Sequence, residues 1–278
     1  MSWFSEYLIE YGQDDMLKFG MGNAKLDENI ATFSLPAGYT CPGAKECMAM
    51  SVKKKGKFSL VTGPDSRYAC FAASQELIAV SVRKQRWQNY GKLLSAGKRG
   101  GIPAMTELLA LSIPVGALAV RIHVSGDFFS EDYFRAWCAV AKEMAPQPFY
   151  AYTKSIAHWV KFKHEIPDNF TLVASRGGKN DELIDEHELR EVSVVFHPSE
   201  AELANLEIDH TDALAMDSTV KNFALLLHGV QLKGTPANAA LRRMREEKVK
   251  FSYNAKTRHN ISIDERRAIR DRKLAGAS

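Results

Sequence analysis

The sequence predicts an α/β protein built as a partial, TIM-like (β/α) barrel with a cysteine-bearing hairpin and helical extension on its N-terminal side. Three observations carry that expectation. From about residue 113 onward, short apolar runs recur, mostly roughly 20 to 30 residues apart, each trailed by a helical or polar segment. That is the βα rhythm of a parallel sheet. The runs end repeatedly in polar or charged residues, and three of the four cysteines sit together upstream of them. An open barrel and a doubly wound sheet both fit this rhythm, and both place ligands at the carboxyl ends of their strands.

The elements follow in order. Residues 1–112 read as the extension, 113–247 as the partial barrel and 248–278 as a basic tail. Trp3, Phe4, Tyr7, Leu8 and Tyr11 recur at helical spacing, the mark of a packing face. Residues 30–35 (IATFSL) form a strand candidate that stops before Pro36 and Gly38. The basic turn at 53–57 (KKKGK) precedes a second short strand, SLVTG, and together they suggest a hairpin lid bearing Cys41 and Cys47. Cys70 opens a helix expected over 71–88, and 105–112 completes the extension. Barrel strands are expected at 119–124, 149–153, 171–175, 192–196, 213–216 and 224–228. Ser130, Glu131 and Asp132 start a helix that runs to about residue 144, and another follows at 156–163. Pro236 suits the first turn of a helix to 247, and the tail segment ERRAIRDRK reads as a polar helix.

Composition narrows the function classes. A chain of 278 residues, 45% hydrophobic and 25% charged, is long and apolar enough to bury a sizeable core and is not of disordered type. No uninterrupted apolar window reaches the ~18 residues a membrane helix needs, so no membrane contact is expected. The N-terminus lacks the basic-then-apolar order of a signal peptide. Four unevenly spaced cysteines do not form a secreted disulfide framework, which points to a reducing, cytoplasmic location. The net charge of +4 permits nucleic-acid contact without requiring it.

The cysteines carry the sharpest signal. Cys41 and Cys47 flank Pro42 and Gly43, which break regular structure and let two thiolates converge, and Cys70 follows after 22 intervening residues. Three thiolates are one short of a closed zinc site. They suit a 4Fe–4S cluster in which one iron keeps a non-protein or exchangeable ligand. A zinc site using histidine with two or three cysteines remains an alternative. Cys138 shares a helix face with Phe134 and Ala141 and reads as an ordinary buried thiol.

The strand ends supply the second signal. Alternation puts Arg121, His123 and Ser125 on one face, followed by Gly126 and Asp127. Later strands end in Tyr150, Tyr152, Thr153 and Lys154, in Ser175 and Arg176 before two glycines, in His197, in Asp217, Ser218 and Thr219, and in His228 and Gln231. Arg and His on one face of an apolar strand are costly unless a ligand or partner meets them. Arg121 and Lys154 are candidates for binding an anionic group, with His123 or Tyr152 transferring a proton. Ser125, Gly126, Asp127, Ser175 and Arg176 are candidates for cofactor binding. The glycines after Arg176 could admit a substrate to the backbone, and Asp127 could instead only cap its turn.

The blocks TFSLPAGYTCPGAKEC, VRIHVSGDFFSEDYFRAW and FYAYTKS resemble the phage and prophage proteins of the gene-product-88 family, over about residues 20–235. That resemblance implies origin in a mobile element more than it implies a reaction. More distantly, the chain resembles radical S-adenosylmethionine (SAM) enzymes, which combine a partial βα barrel, three cysteines before or at the first strand and a glycine-containing turn after the second. SGDFF, residues 125–129, is then the counterpart of that turn. The resemblance implies SAM as a second cofactor, chelated at the open iron, and an electron donor that drives its cleavage; His123, Arg121 or a bound small molecule could equally occupy that iron. Those enzymes hold their cysteines in one CxxxCxxC loop, whereas Cys70 here is remote.

The functional expectation is an iron–sulfur enzyme, redox or radical-SAM-like, acting on a small-molecule substrate at the barrel mouth. The alternative is a nucleic-acid-binding or modifying phage protein with a structural zinc or cluster site. Its basic segments would be 53–57, 83–87 (RKQRW), 98–99 and the tail. A third reading is an interaction protein that blocks a host factor.

Overall fold

The computed structural model describes residues 16–249 apart from residue 24. The expected N-terminal amphipathic face from Trp3 to Tyr11 and the tail helix therefore lie outside the described residues. The apolar runs do form strands: β1 (Gly20–Met21), β2 (Ile30–Ser34), β3 (Ala49–Lys54), β4 (Lys57–Thr62), β5 (Ala119–Ser125), β6 (Phe149–Thr153), β7 (Phe170–Ser175), β8 (Glu191–Val195) and β9 (Asn222–Leu226). Seven of them make one sheet in the order β1-β2-β5-β6-β7-β8-β9, and β3 and β4 pair separately. β1 runs antiparallel to β2, and every other neighbour in the large sheet is parallel.

The sheet is open, with β1 and β9 at its edges. Its parallel strands follow one another in chain order without the reversal that defines a doubly wound sheet. Helices connect and follow these strands and pack on both faces of the sheet. These helices are α1 (Phe71–Ile78), α2 (Val80–Ser112), α3 (Glu131–Glu143), α4 (Ile156–Lys161), α5 (Glu182–Glu186), α6 (Pro198–Leu203), α7 (Ala213–Met216) and α8 (Pro236–Glu246). On one side Phe33, Val120, Ile122, Phe149 and Leu172 pack with Leu93 and Leu109 of α2 and Phe134 and Trp137 of α3. On the other, Ile30, Ala119, Tyr150, Val173, Val192 and Phe223 meet Ala215 of α7. Burial on both faces is why these strands read as continuous apolar runs.

Helix α3 begins as its sequence indicates. Ser130 Oγ accepts from the Tyr133 amide at 3.3 Å, Glu131 and Asp132 occupy the first turn, and Lys142 sits in the last, matching the helix dipole. α8 likewise has Thr235 as its cap and Pro236 in its first turn.

Three expectations change. Residues 30–34 belong to the main sheet as β2, parallel to β5, and the hairpin is β3–β4. Its turn uses Lys55 and Gly56, both at positive φ. Cys41 and Cys47 lie in the connection between β2 and β3. Residues 213–216 form α7, not a strand; four apolar residues support either state, and Asp209 decides by accepting from the amides of Thr211 (2.9 Å) and Ala215 (3.1 Å). The helix expected over 71–88 breaks at Ala79 (φ −108°, ψ 97°), and α2 then runs to Ser112 with a non-helical step at Gly100 and Gly101.

Trp137 is fully buried and its ring meets Phe33 at 5.6 Å and Phe149 at 6.3 Å. Trp137→Ala is expected to lower stability by about 3–5 kcal/mol, the usual cost of emptying an aromatic core position. Urea denaturation followed by circular dichroism checks this; a loss below about 1 kcal/mol would contradict the packing.

A cysteine-lined cavity at the strand ends

After β2 the chain turns back across the carboxyl ends of β5, β6 and β7. The Leu35 amide donates to the Ser125 carbonyl and Ser125 Oγ donates to the Leu35 carbonyl, both at 2.8 Å. Thr40 donates through its amide (3.2 Å) and hydroxyl (2.8 Å) to the Pro36 carbonyl, and its own carbonyl accepts from the Asp127 amide. At Gly43 the loop touches β6 so closely that a Cβ would stand 1.9 Å from the Lys154 carbonyl oxygen. Only glycine fits there. Ala44 then bridges to Gly178, and the Glu46 amide donates to the Gly177 carbonyl at 2.9 Å. The two glycines after Arg176, expected to admit a substrate, thus admit the cysteine loop.

Cys70 is the N-cap of α1. The residue before it is clamped by Gln231, whose Oε1 accepts from the Ala69 amide at 2.7 Å and whose Nε2 donates to the Ala69 carbonyl at 2.9 Å. α1 is fixed further by a buried pair, Glu76 with Arg86 at 2.9 Å, and Glu76 Oε1 also accepts from the Ala37 amide at 2.9 Å. Segments of distant sequence therefore deliver Cys41, Cys47 and Cys70 to one cavity of about 200 Å³, which His123, Asp127 and Lys154 also line.

All four cysteines are free thiols. Burial pushes the Cys41 thiol well above its ordinary value, and Asp127 and the other two cysteines add to this. Burial raises Cys47 to about 12 against the opposing pull of Lys154. Cys70 is raised by burial too, moderated by the Ala72 and Ala73 amides at the start of α1. Thiolates are the metal-binding form, so a cation entering here would displace these protons. Among the described residues, no three His, Cys, Asp or Glu side chains converge as ligands of a single metal ion.

Asp127 lines the cavity and joins two strand ends. It accepts from the Phe128 amide (2.8 Å), Thr153 Oγ1 (2.6 Å) and the Lys154 amide (2.8 Å). Burial raises its carboxyl, and these hydrogen bonds work against that rise. The buried Lys154 Nζ donates to the Ser175 carbonyl at 2.7 Å, to Ser175 Oγ at 3.0 Å and to the Arg176 carbonyl. His123 is buried, with Nε2 3.0 Å from the Tyr133 hydroxyl. Burial, then Arg121, lowers its pKa to about 3, leaving a neutral ring. Ser125, Gly126, Tyr152, Ser175 and His228 also line the cavity.

Other candidates have different partners. Arg121 borders the cavity, but its guanidinium is engaged by Asp212, a residue at φ 61° just before α7. Lys25 Nζ meets the same carboxylate at 2.6 Å, and the Tyr150 and Tyr152 hydroxyls donate to it at 3.3 Å. Tyr152 keeps its proton, since burial and then Asp212 raise its phenol well above the usual value. Arg176 does not line the cavity and pairs with Asp185 and Glu191. His197 caps α6 and meets Glu247 at 2.6 Å. Asp217 accepts from Thr219 in a local turn. Cys138 is buried in the core of α3, with burial raising its thiol to about 12. Asp212, Lys25 and Tyr68 were missed. Asp212 was hidden because the following four residues read as a strand, and a lone lysine or tyrosine in a connection carries no pattern.

This architecture defines a class: an open parallel α/β protein in which three separated cysteines meet over the carboxyl ends of the strands. The chain matches the gene product 88 family over residues 15–255 and belongs to it, the phage-type family that its three sequence blocks resemble. No curated protein and no solved structure matches it.

Burial alone would raise the Asp212 carboxyl, but Arg121 and then Lys25 outweigh it and hold it below the ordinary carboxylate range. Its contribution is present above the unfolded carboxylate pKa and is lost as pH falls through the depressed folded value. Asp212→Asn leaves two buried cations without their shared anion and is expected to cost about 3–5 kcal/mol at neutral pH. The gap from wild type should narrow in acid. Denaturation midpoints at several pH values check both points.

Proposed function

We propose that Cys41, Cys47 and Cys70 hold a 4Fe–4S cluster with one open iron, and that the protein is a redox or radical-SAM-like enzyme acting on a small molecule in this cavity. The observation that carries the reading is that the three cysteines, and not Cys138, line one cavity at the carboxyl ends of a parallel sheet. A single ion asks its ligands to converge on one point, whereas a cuboidal cluster spreads them over several irons. When bound, such a cluster supplies one-electron transfer and, with SAM at its open iron, radical chemistry.

The chain's own residues prepare the remainder of the site. The Lys154 ammonium sits beside Cys47 and favours negative charge in the cavity. Asp127 fixes the β5 and β6 ends, and Tyr152 and the neutral His123 are the proton donor and acceptor bordering it. We read the sequential strand order as a partial barrel. The cysteine connection follows the first parallel strand and the Gly126 turn follows the second. Gly126 has φ 85°, and a Cβ there would lie 2.6 Å from both Leu35 and Thr40, so the turn also seats the cysteine loop. Free thiols fit a reducing, cytoplasmic setting, where an electron donor would be the partner. The nucleic-acid alternative loses two of its charges, because Arg83 and Arg86 are buried around Glu76.

Anaerobic purification with iron and sulfide counts tests the reading. About four irons per chain are expected, falling severalfold in Cys41→Ala, Cys47→Ala and Cys70→Ala and unchanged in Cys138→Ala. A colourless protein with about one zinc would sink it. A change in the reduced cluster's paramagnetic spectrum on adding SAM would select radical over simple redox chemistry.

A further inference from the structure

We propose that His123 is the resting fourth ligand of the cluster, binding the open iron through Nδ1 until a substrate displaces it; this rests on the cluster reading above. Between the pairs Thr32–Arg121 and Ser34–Ser125, β2 contributes one residue and β5 contributes three. This bulge sets His123 at φ 64°, a left-handed conformation unusual for a side-chain-bearing residue. Bulges of this kind re-aim a side chain and recur beside functional sites.

The ring is held on one side only. Nε2 lies 3.0 Å from the Tyr133 hydroxyl, and Tyr133 is itself stacked on Phe129 at 4.4 Å. Phe128 packs edge-on against the imidazole at 4.6 Å. Nδ1 is buried and finds no hydrogen-bond partner among the described residues, a costly condition for a polar atom. A ring with one nitrogen anchored to an oxygen and the other left over, beside three cysteines, has the form of a metal-binding histidine whose second nitrogen donates outward.

The other polar groups of the cavity are less suited. Lys154 Nζ has no lone pair to offer as an ammonium and already donates to Ser175 and Arg176. Both Asp127 oxygens are taken by Phe128, Thr153 and Lys154. His228 is held in a similar way, with Nδ1 3.0 Å from the Leu226 carbonyl, but it lacks the bulged, positive-φ backbone that aims His123.

The test uses the full chain grown with 15N-histidine, purified anaerobically and reduced, with iron and sulfide counted in every sample. Pulsed paramagnetic resonance of the wild type should show a strongly coupled histidine nitrogen. That coupling should vanish in His123→Ala and persist in His228→Ala. A four-iron wild type without a coupled histidine nitrogen overturns the assignment without recourse to any variant. Coupling that survives His123→Ala, or that is lost in His228→Ala, overturns it as well. A chain that takes up neither iron nor sulfide overturns the cluster reading itself, and this assignment with it.

Discussion

The approach of Gly43 to the Lys154 carbonyl is the constraint on which the site depends. Any side chain at residue 43 would collide with backbone, and backbone at a strand end cannot step aside without disturbing β6. The contact places Cys41 and Cys47 on either side of a fixed point above the sheet. It is reinforced where Gly177 and Gly178 let Ala44 and Glu46 pair with the backbone after β7. Three glycines thus make one backbone-to-backbone seam, and the thiols are positioned by main chain, not by the packing of their own side chains.

Buried charge performs the corresponding task at two other places. Asp212 gathers Lys25, Arg121, Tyr150 and Tyr152 from the connection before β2, from β5 and from β6. Glu76 gathers Arg86 and the Ala37 amide, tying α1, and Cys70 with it, to the start of the cysteine loop. Neither carboxylate is a strong source of net stability, because desolvation offsets much of the attraction. Their value is geometric: each meets its partners in only one arrangement of the segments it joins. Arg121 therefore belongs first to the scaffold, although as a cavity-lining cation it reads from the sequence as an anion binder.

The legible parts of the sequence were those governed by period and by local chemistry. β6 has the expected bounds, β5, β7, β8 and β9 fall within two residues of them, and α3 starts at its Ser130 cap. Cys41, Cys47 and Cys70 stood out by their spacing around Pro42 and Gly43, and Asp127, Lys154 and His123 as polar groups at the ends of apolar strands, which topology alone carries to one rim. What escaped was set by long-range contact. The strand at 30–34 pairs with β5 nearly ninety residues away, and no local pattern separates that from a hairpin strand. Arg176 and His197 also follow strand ends, yet partners on α5, on β8 and just after α8 draw them aside. The bulge that turns His123 is invisible in an alternation count, because it breaks the very period used to read the strand.

The 22 residues between Cys47 and Cys70 follow from this topology. Most of them are the β3–β4 hairpin, whose strands pair from Ala49 with Thr62 to Lys54 with Lys57 and return the chain to its starting point. Below the hairpin the Gly63 amide donates to the Met48 carbonyl at 3.0 Å, and the Arg67 and Tyr68 amides donate to the Glu46 carbonyl at 2.8 and 3.2 Å. In space, then, Cys47 and Cys70 flank the base of a closed stem. The exposed tip at residues 53–57 can vary without moving either thiol. A wide gap in sequence is thereby compatible with a compact three-cysteine site: a tight loop interrupted by a hairpin keeps its geometry as long as the stem stays paired. The separation that distinguishes this chain from a CxxxCxxC loop is a difference in connectivity, and it does not by itself separate the thiols in space.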